Sequence, residues 1–183
     1  MATTTTRLTI DDFERLPYEQ AKNHELVDGE LIDVSGNSFD HNDIRDFLIA
    51  DLRPFVIERH LGTVIGEQEY DFDGNAHGPD VSFFGLAKRP LLDRAKRVQR
   101  FVPDLAIEVA SSNDTFTSLL PKKERYRRCG TAEVWIVSPE TREVFVFAAS
   151  GDRILREGAE LTSELLPDFR LPVARLFESA SAI

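Results

Sequence analysis

Val102-Pro103-Asp104-Leu105-Ala106-Ile107-Glu108-Val109 is the stretch on which the fold turns. Pro-Asp leads into a short apolar run of the kind found in a central strand, bounded too closely for a helix. With the two-residue period of a strand, Asp104, Ala106 and Glu108 share one face, and Leu105, Ile107 and Val109 share the other. Glu108 is therefore a charge set late in an apolar run, which is costly unless something offsets it. A divalent cation shared with a second carboxylate is one solution. An ion pair with an arginine, or a strand end that reaches solvent, is another. The same design occurs upstream in Gly78-Pro79-Asp80-Val81-Ser82-Phe83-Phe84. Asp80 and Asp104 also admit a plain structural role, because Pro-Asp often opens a strand or a turn.

Downstream, a helix is expected over about Ser118 to Cys129, closed by Gly130. It can bring a lysine back over the end of the Glu108 strand. Lys122 and Lys123 both fall within its apolar arc, so periodicity does not choose between them. A lysine there either snorkels to water or holds its ammonium near a carboxylate and a phosphate. Two β-rich runs follow, Glu133 to Val137 and Val144 to Ala148, joined by the turn-forming SPETRE segment. A short strand near Arg153 to Arg156 and a turn of helix before Phe177 complete the tail.

Upstream, Thr9 can cap a helix over Ile10 to Leu16, with Asp11 and Asp12 favoured by its dipole. Asp28-Gly29 is a tight-turn signal between HELV and ELIDV, giving a hairpin over His24 to Val34. From Asp40, Ile44, Phe47, Leu48, Leu52 and Phe55 keep helical spacing, and Pro54 should kink that helix or end it late. Strands are expected at Thr63 to Ile65, Glu67 to Phe72 and Val81 to Phe84. The order predicts an α/β fold of the mixed α+β kind, a central mixed sheet flanked by helices. It lacks the regular alternation of a doubly wound fold and any Gly-rich phosphate loop.

A chain of 183 residues with 42% hydrophobic and 30% charged composition can bury a core without disulfides. We expect a lead-in over residues 1–8, one domain over 9–178 and a tail over 179–183. No segment approaches the length of a membrane helix and the N-terminus has no secretory h-region, so a cytoplasmic location and no membrane partner are expected. Cys129 is the sole cysteine, which leaves no intrachain disulfide or Cys-based zinc site. The net charge of −10 argues against non-specific nucleic-acid binding through a basic surface. It leaves room for a hydrolytic site in which a metal supplies the positive charge. Basic residues cluster at Lys88 to Arg100 and Lys122 to Arg128, either as a solvated face or as a phosphate-contacting one.

The segments HELVDGEL, His41, GPDVSFF, PDLAIEVASSND, KKERYRRCGTAEVWIV and SPETREVFVF, in this order, resemble the Uma-two (Uma2) family of restriction-endonuclease-like proteins. The similarity spans roughly Leu8 to Phe177 and is most specific from Pro103 to Val137. It implies a PD-(D/E)XK nuclease core, with acidic metal ligands and a lysine at one edge of a mixed sheet. Asp80 and Glu108 match the two metal ligands, the backbone carbonyl of Val109 a third, and Glu25 a glutamate that completes the acidic site. Lys122 matches the family's helix-borne lysine, which accounts for Ala110 where the wider motif has lysine. His41 also matches a family position, and a helix-terminal packing role suits it equally well.

What the resemblance implies is hydrolysis of phosphodiester bonds, with nucleic acid, DNA in particular, as substrate. Mg²⁺ or Mn²⁺ would activate a water, and a homodimer would let one centre per chain cut both strands. The alternative is a nuclease-fold module that binds nucleic acid or a protein with little or no hydrolysis. The acidity of the chain and Ala110 favour it, whereas retention of Glu25, Asp80, Glu108 and Lys122 together speaks against it.

Overall fold

The computed structural model describes residues 7–34, 36–111 and 116–178. Residues 1–6 of the lead-in expected over 1–8, and the tail expected at 179–183, lie outside them. In chain order the elements are α1 (Ile10–Arg15), α2 (Tyr18–Ala21), β1 (His24–Val27), β2 (Glu30–Asp33), α3 (Phe39–Glu58), β3 (Gly62–Gly66), β4 (Tyr70–Asp71), β5 (Ala76–His77) and β6 (Val81–Gly85). A 3-10 helix (Leu86–Leu91) precedes β7 (Leu105–Val109), α4 (Phe116–Arg128), β8 (Glu133–Ser138), β9 (Glu143–Ala148), β10 (Gly151–Leu155), β11 (Glu160–Leu161), β12 (Leu171–Pro172) and α5 (Val173–Glu178).

The central sheet runs β10-β9-β8-β7-β6-β3, and β7 and β8 are its one parallel pair among the described residues. Parallel neighbours need a long crossover, and α4 supplies it. This makes the sheet mixed, as expected, with β7 inside it and buried along its whole length. Leu105, Ile107 and Val109 pack with Ile44, Leu48, Leu52 and Val56 of α3, with Trp135, and with Leu171 of β12 and Leu176 of α5. Ala106, on the opposite face, joins Tyr70, Phe72, Tyr126 and Val134. The period-two reading thus sends Glu108 towards α4, whose Tyr126 lies on that side.

A smaller sheet, β2-β1-β5-β4, covers this second face. Asp28 (φ +51°) and Gly29 (φ +84°) both take left-handed backbone at the β1–β2 turn, the geometry that joins strands through two residues. A Cβ on Gly29 would meet Arg7 Cβ at 2.5 Å, so space as well as conformation requires glycine there. Leu8, placed by sequence in the lead-in, donates its N–H to the Gly29 carbonyl at 2.9 Å.

The Thr9 cap forms as a reciprocal capping box with Asp12. Helix α3 runs past Pro54 and ends one turn later, at Glu58. Pro54 and Ala50 lie on its exposed face, where water can satisfy the carbonyl that loses its partner. One expectation is corrected: the strand expected over Glu67 to Phe72 shrinks to Tyr70–Asp71. Glu67 turns to φ +52° and gives its N–H to the Asp80 carbonyl, which breaks the run.

Candidate active site

Asp80 stands just before β6 and Glu108 is the penultimate residue of β7. These strands pair antiparallel from Val81↔Ile107 to Phe83↔Leu105, so their acidic residues meet at one end of the pair. Asp80 Oδ2 accepts the Val109 N–H at 2.7 Å. Its Oδ1 lies 2.9 Å from His41 Nε2. His41 is brought there by the N-terminal turn of α3, where the Ser38 hydroxyl accepts its N–H. A residue of a strand directs its N–H and C=O to the same side, so the Val109 carbonyl leaves β7 on the same edge as the N–H that Asp80 accepts.

Glu25 arrives from β1 of the smaller sheet. Its Oε1 accepts the Gly78 N–H at 3.1 Å and the Lys122 ammonium at 2.9 Å. Lys122 also donates to Glu108 Oε2 at 3.1 Å, while Tyr126, one helical turn along α4, donates its hydroxyl to Glu108 Oε1 at 2.6 Å. Four residues far apart in sequence thus converge: Glu25, Asp80, Glu108 and Lys122. Lys123 does not join them. Its ammonium lies 4.4 Å from the centroid of the Phe147 ring and pairs with Glu124.

The second Pro-Asp does a different job. Asp104 accepts the Gly85 N–H at 2.8 Å and pairs with Lys88 at 2.6 Å, holding the far end of β6 to β7. The two basic clusters are largely structural clamps. Arg97 lies over Phe13 and pairs with Glu69, Arg100 holds Asp11 and Asp71, and Arg127 donates to the carbonyls of Thr131 and Ala132. Arg89, Arg94, Lys96 and Arg128 remain exposed.

Burial sets the electrostatics. Glu108 is pushed above the usual carboxylate range by burial, aided by the charges of Asp80 and Glu25 and opposed by Lys122. Burial presses Glu25 the same way, but Lys122 and His77 outweigh it and hold Glu25 well below that range. Lys122 loses hydration too, yet Glu108 and Glu25 keep it firmly protonated. For His41, the bond to Asp80 overcomes burial and raises the imidazole above its ordinary value.

Carboxylate and carbonyl oxygens are the donors that hard divalent cations take. In this structure each carboxylate oxygen of Glu25, Asp80 and Glu108 already accepts a protein hydrogen bond. Among the described residues no three of His, Cys, Asp and Glu are arranged to hold an ion. A carboxylate oxygen has a second lone pair, and buried Glu108 would gain from a cation, so the donor chemistry fits Mg²⁺ or Mn²⁺.

Sequence reasoning missed two members of the cluster. Tyr126 follows Lys122 by one helical turn, and that spacing could have marked it. His77 had no such signal: it reaches Glu25 only through the pairing of β1 with β5.

Comparison with known proteins bears on this arrangement. The family model Uma2, described as "Putative restriction endonuclease", matches residues 10–174. No curated protein matches. Among solved structures, the chain is similar to one described as a putative nuclease belonging to DUF820 from Anabaena variabilis. The TM-score is 0.82 at 21% identity, covering 94% of this chain and 98% of that one. That likeness carries the fold. No helix among the described residues is long and apolar enough to cross a membrane.

Proposed function

The chain belongs to the Uma2 family of restriction-endonuclease-like proteins, and from that premise we propose that it is a metal-dependent endonuclease that hydrolyses phosphodiester bonds of DNA. The observation that carries this reading is the meeting of Glu25 and Glu108 on one half-buried lysine, Lys122, with Asp80 at the adjoining end of the β6–β7 pair. Three carboxylates and one ammonium at this end of the sheet leave negative charge that a divalent cation would neutralise.

Asp80 and Glu108, with the Val109 carbonyl, would hold Mg²⁺ or Mn²⁺. When bound, the ion supplies an activated water and polarises the scissile phosphate. Glu25 serves better as a ligand than as a base, because a carboxylate held so low has little affinity for a proton. Lys122 remains charged and offers its ammonium to the oxygens that gain charge as water adds to phosphorus and the bond to the leaving sugar oxygen breaks. Val109 N–H and His41 hold Asp80 by its two oxygens, and Tyr126 holds Glu108. Preorganisation of this kind removes a cost from the reaction step. A symmetric dimer would place two such centres on opposite strands.

A second reading, a module that binds nucleic acid or protein without hydrolysis, draws support from the saturation of every carboxylate oxygen by protein donors. Titration of Mn²⁺ and Mg²⁺ by calorimetry into the wild type and Asp80→Asn, with cleavage of plasmid and single-stranded DNA by both, separates the two. Binding and nicking that vanish together in Asp80→Asn support the endonuclease. A wild type that takes up neither ion leaves the binding module.

A further inference from the structure

A line of polar contacts runs from the surface to Lys122 through a residue so far given no role. Asp28 sits at the β1–β2 turn, its backbone N–H held by the Asn75 side chain at 2.7 Å. Its carboxylate accepts Arg125 Nη2 at 3.2 Å. Arg125 Nη1 lies 3.2 Å from His77 Nε2, and His77 Nδ1 lies 2.8 Å from Glu25 Oε2. The His77 ring is buried, with the Phe72 ring centroid at 5.8 Å and that of Tyr126 at 5.7 Å. Phe72 and Tyr126 confine the ring.

The chemistry of these partners fixes the proton. A guanidinium has only N–H donors and no acceptor, so the contact with Arg125 requires an unprotonated Nε2. The ring proton then sits on Nδ1 and points at Glu25.

We propose that His77 is a positioning residue for the site: as the Nδ1–H tautomer enforced by Arg125, it captures Glu25 Oε2 and thereby turns Oε1 to Lys122. The geometry explains how one ammonium is divided between two carboxylates. Glu25 Oε1 is aimed by the bond from His77 to the other oxygen and by the Gly78 N–H that Oε1 itself accepts. Without His77, Glu25 is free to rotate about its terminal bond and Lys122 moves towards Glu108. Arg125 acts one step further out, choosing the tautomer, and Asp28 anchors Arg125. The functional consequence rests on the endonuclease reading; the placement of Lys122 does not.

Two measurements on the full chain test this. Long-range ¹H–¹⁵N correlation spectra of the wild type should show His77 neutral with the proton on Nδ1. An Nε2–H ring or an imidazolium overturns the proposal. Then the Lys122 ammonium resonance is compared in His77→Leu and His77→Asn, because asparagine keeps an N–H near the place of Nδ1 and leucine does not. The resonance should shift in the leucine variant and return towards wild type in the asparagine variant. An unmoved resonance in a folded His77→Leu overturns the proposal; if that variant does not fold, Arg125→Leu alone decides it, since a mixture of His77 tautomers with a shifted Lys122 resonance supports the proposal and an unchanged tautomer and resonance overturn it. In cleavage, kcat should fall about 10- to 100-fold in the leucine variant with KM little changed, the range for loss of a group that orients a site residue. Asparagine should recover most of that loss. If the wild type cleaves nothing, the endonuclease reading fails and the resonances still decide the role of His77.

Discussion

The Tyr126 hydroxyl donates to Glu108 Oε1 at 2.6 Å, and both groups are buried. One residue of α4 thus completes the hydrogen bonding of a carboxylate on β7. Removing the hydroxyl while keeping the ring isolates that bond. Tyr126→Phe should cost about 1–3 kcal/mol, the penalty for stranding a buried polar atom. The Phe72 ring, stacked 4.3 Å from that of Tyr126, keeps its neighbour, so packing should be preserved. Urea denaturation of both proteins checks this; equal midpoints would sink the assignment.

Lys122 and Lys123 are adjacent, and sequence alone did not separate them. The structure sets Lys122 between Glu25 and Glu108 and sends Lys123 to Phe147 and Glu124. Lys122→Met leaves two buried carboxylates without their cation, an effect of about 3–5 kcal/mol at neutral pH. It should also abolish any cleavage. Lys123→Met should cost about 1 kcal/mol or less, the scale of a partly exposed cation–π contact, and leave cleavage intact. Thermal melts and a nicking assay on the pair decide the matter, and the reverse ranking would transfer the role to Lys123.

How far the sequence reached depends on which interactions each feature needs. The alternation in Leu105–Val109 was legible because both faces of β7 are packed, one by α3 and one by α4, and its period alone sorts the side chains. Asp28-Gly29 was legible because a two-residue turn is a local matter. Glu67–Phe72 misled because Glu67, Glu69 and Asp71 alternate with less polar neighbours, while the left-handed Glu67 answers to a hydrogen bond with distant Asp80. The site shows the same division. Asp80 and Glu108 stood out as charges at the borders of apolar runs, but nothing local said that the matching Asp104 would serve Gly85 and Lys88 instead. Glu25 came from the resemblance, and His77 came only from the structure.

Asp80 and Asp104 therefore make a controlled comparison, since each follows proline and precedes a strand. Asp104→Asn should leave metal uptake and cleavage near wild type while lowering stability by about 1–3 kcal/mol, because a charge-assisted bond to Gly85 N–H and the pair with Lys88 are weakened. Asp80→Asn should do the opposite for metal uptake. Calorimetric titration with Mn²⁺ and a denaturant melt of each variant give the two readings. A loss of metal binding in Asp104→Asn would show that the wrong carboxylate has been placed in the site.

Glu69 supplies a test by pH that does not touch the proposed ligands. Burial raises its pKa to about 7; Arg97 works against this, and the charges of Glu14 and Glu25 add to it. The sign follows from linkage: the folded chain holds a proton on Glu69 that the unfolded chain releases near the ordinary glutamate value of 4.5. Between 4.5 and about 7 the folded state binds the extra proton, so this group's contribution to stability declines as pH rises through that window and is constant above it. Glu69→Gln cannot titrate. Its stability relative to wild type should therefore improve by about 3 kcal/mol between about pH 4 and about pH 8, whatever the substitution costs in its pairing with Arg97. Urea midpoints of both proteins across this range measure the difference. A constant offset between the two curves would mean that Glu69 titrates normally, paired by Arg97 strongly enough to cancel its burial.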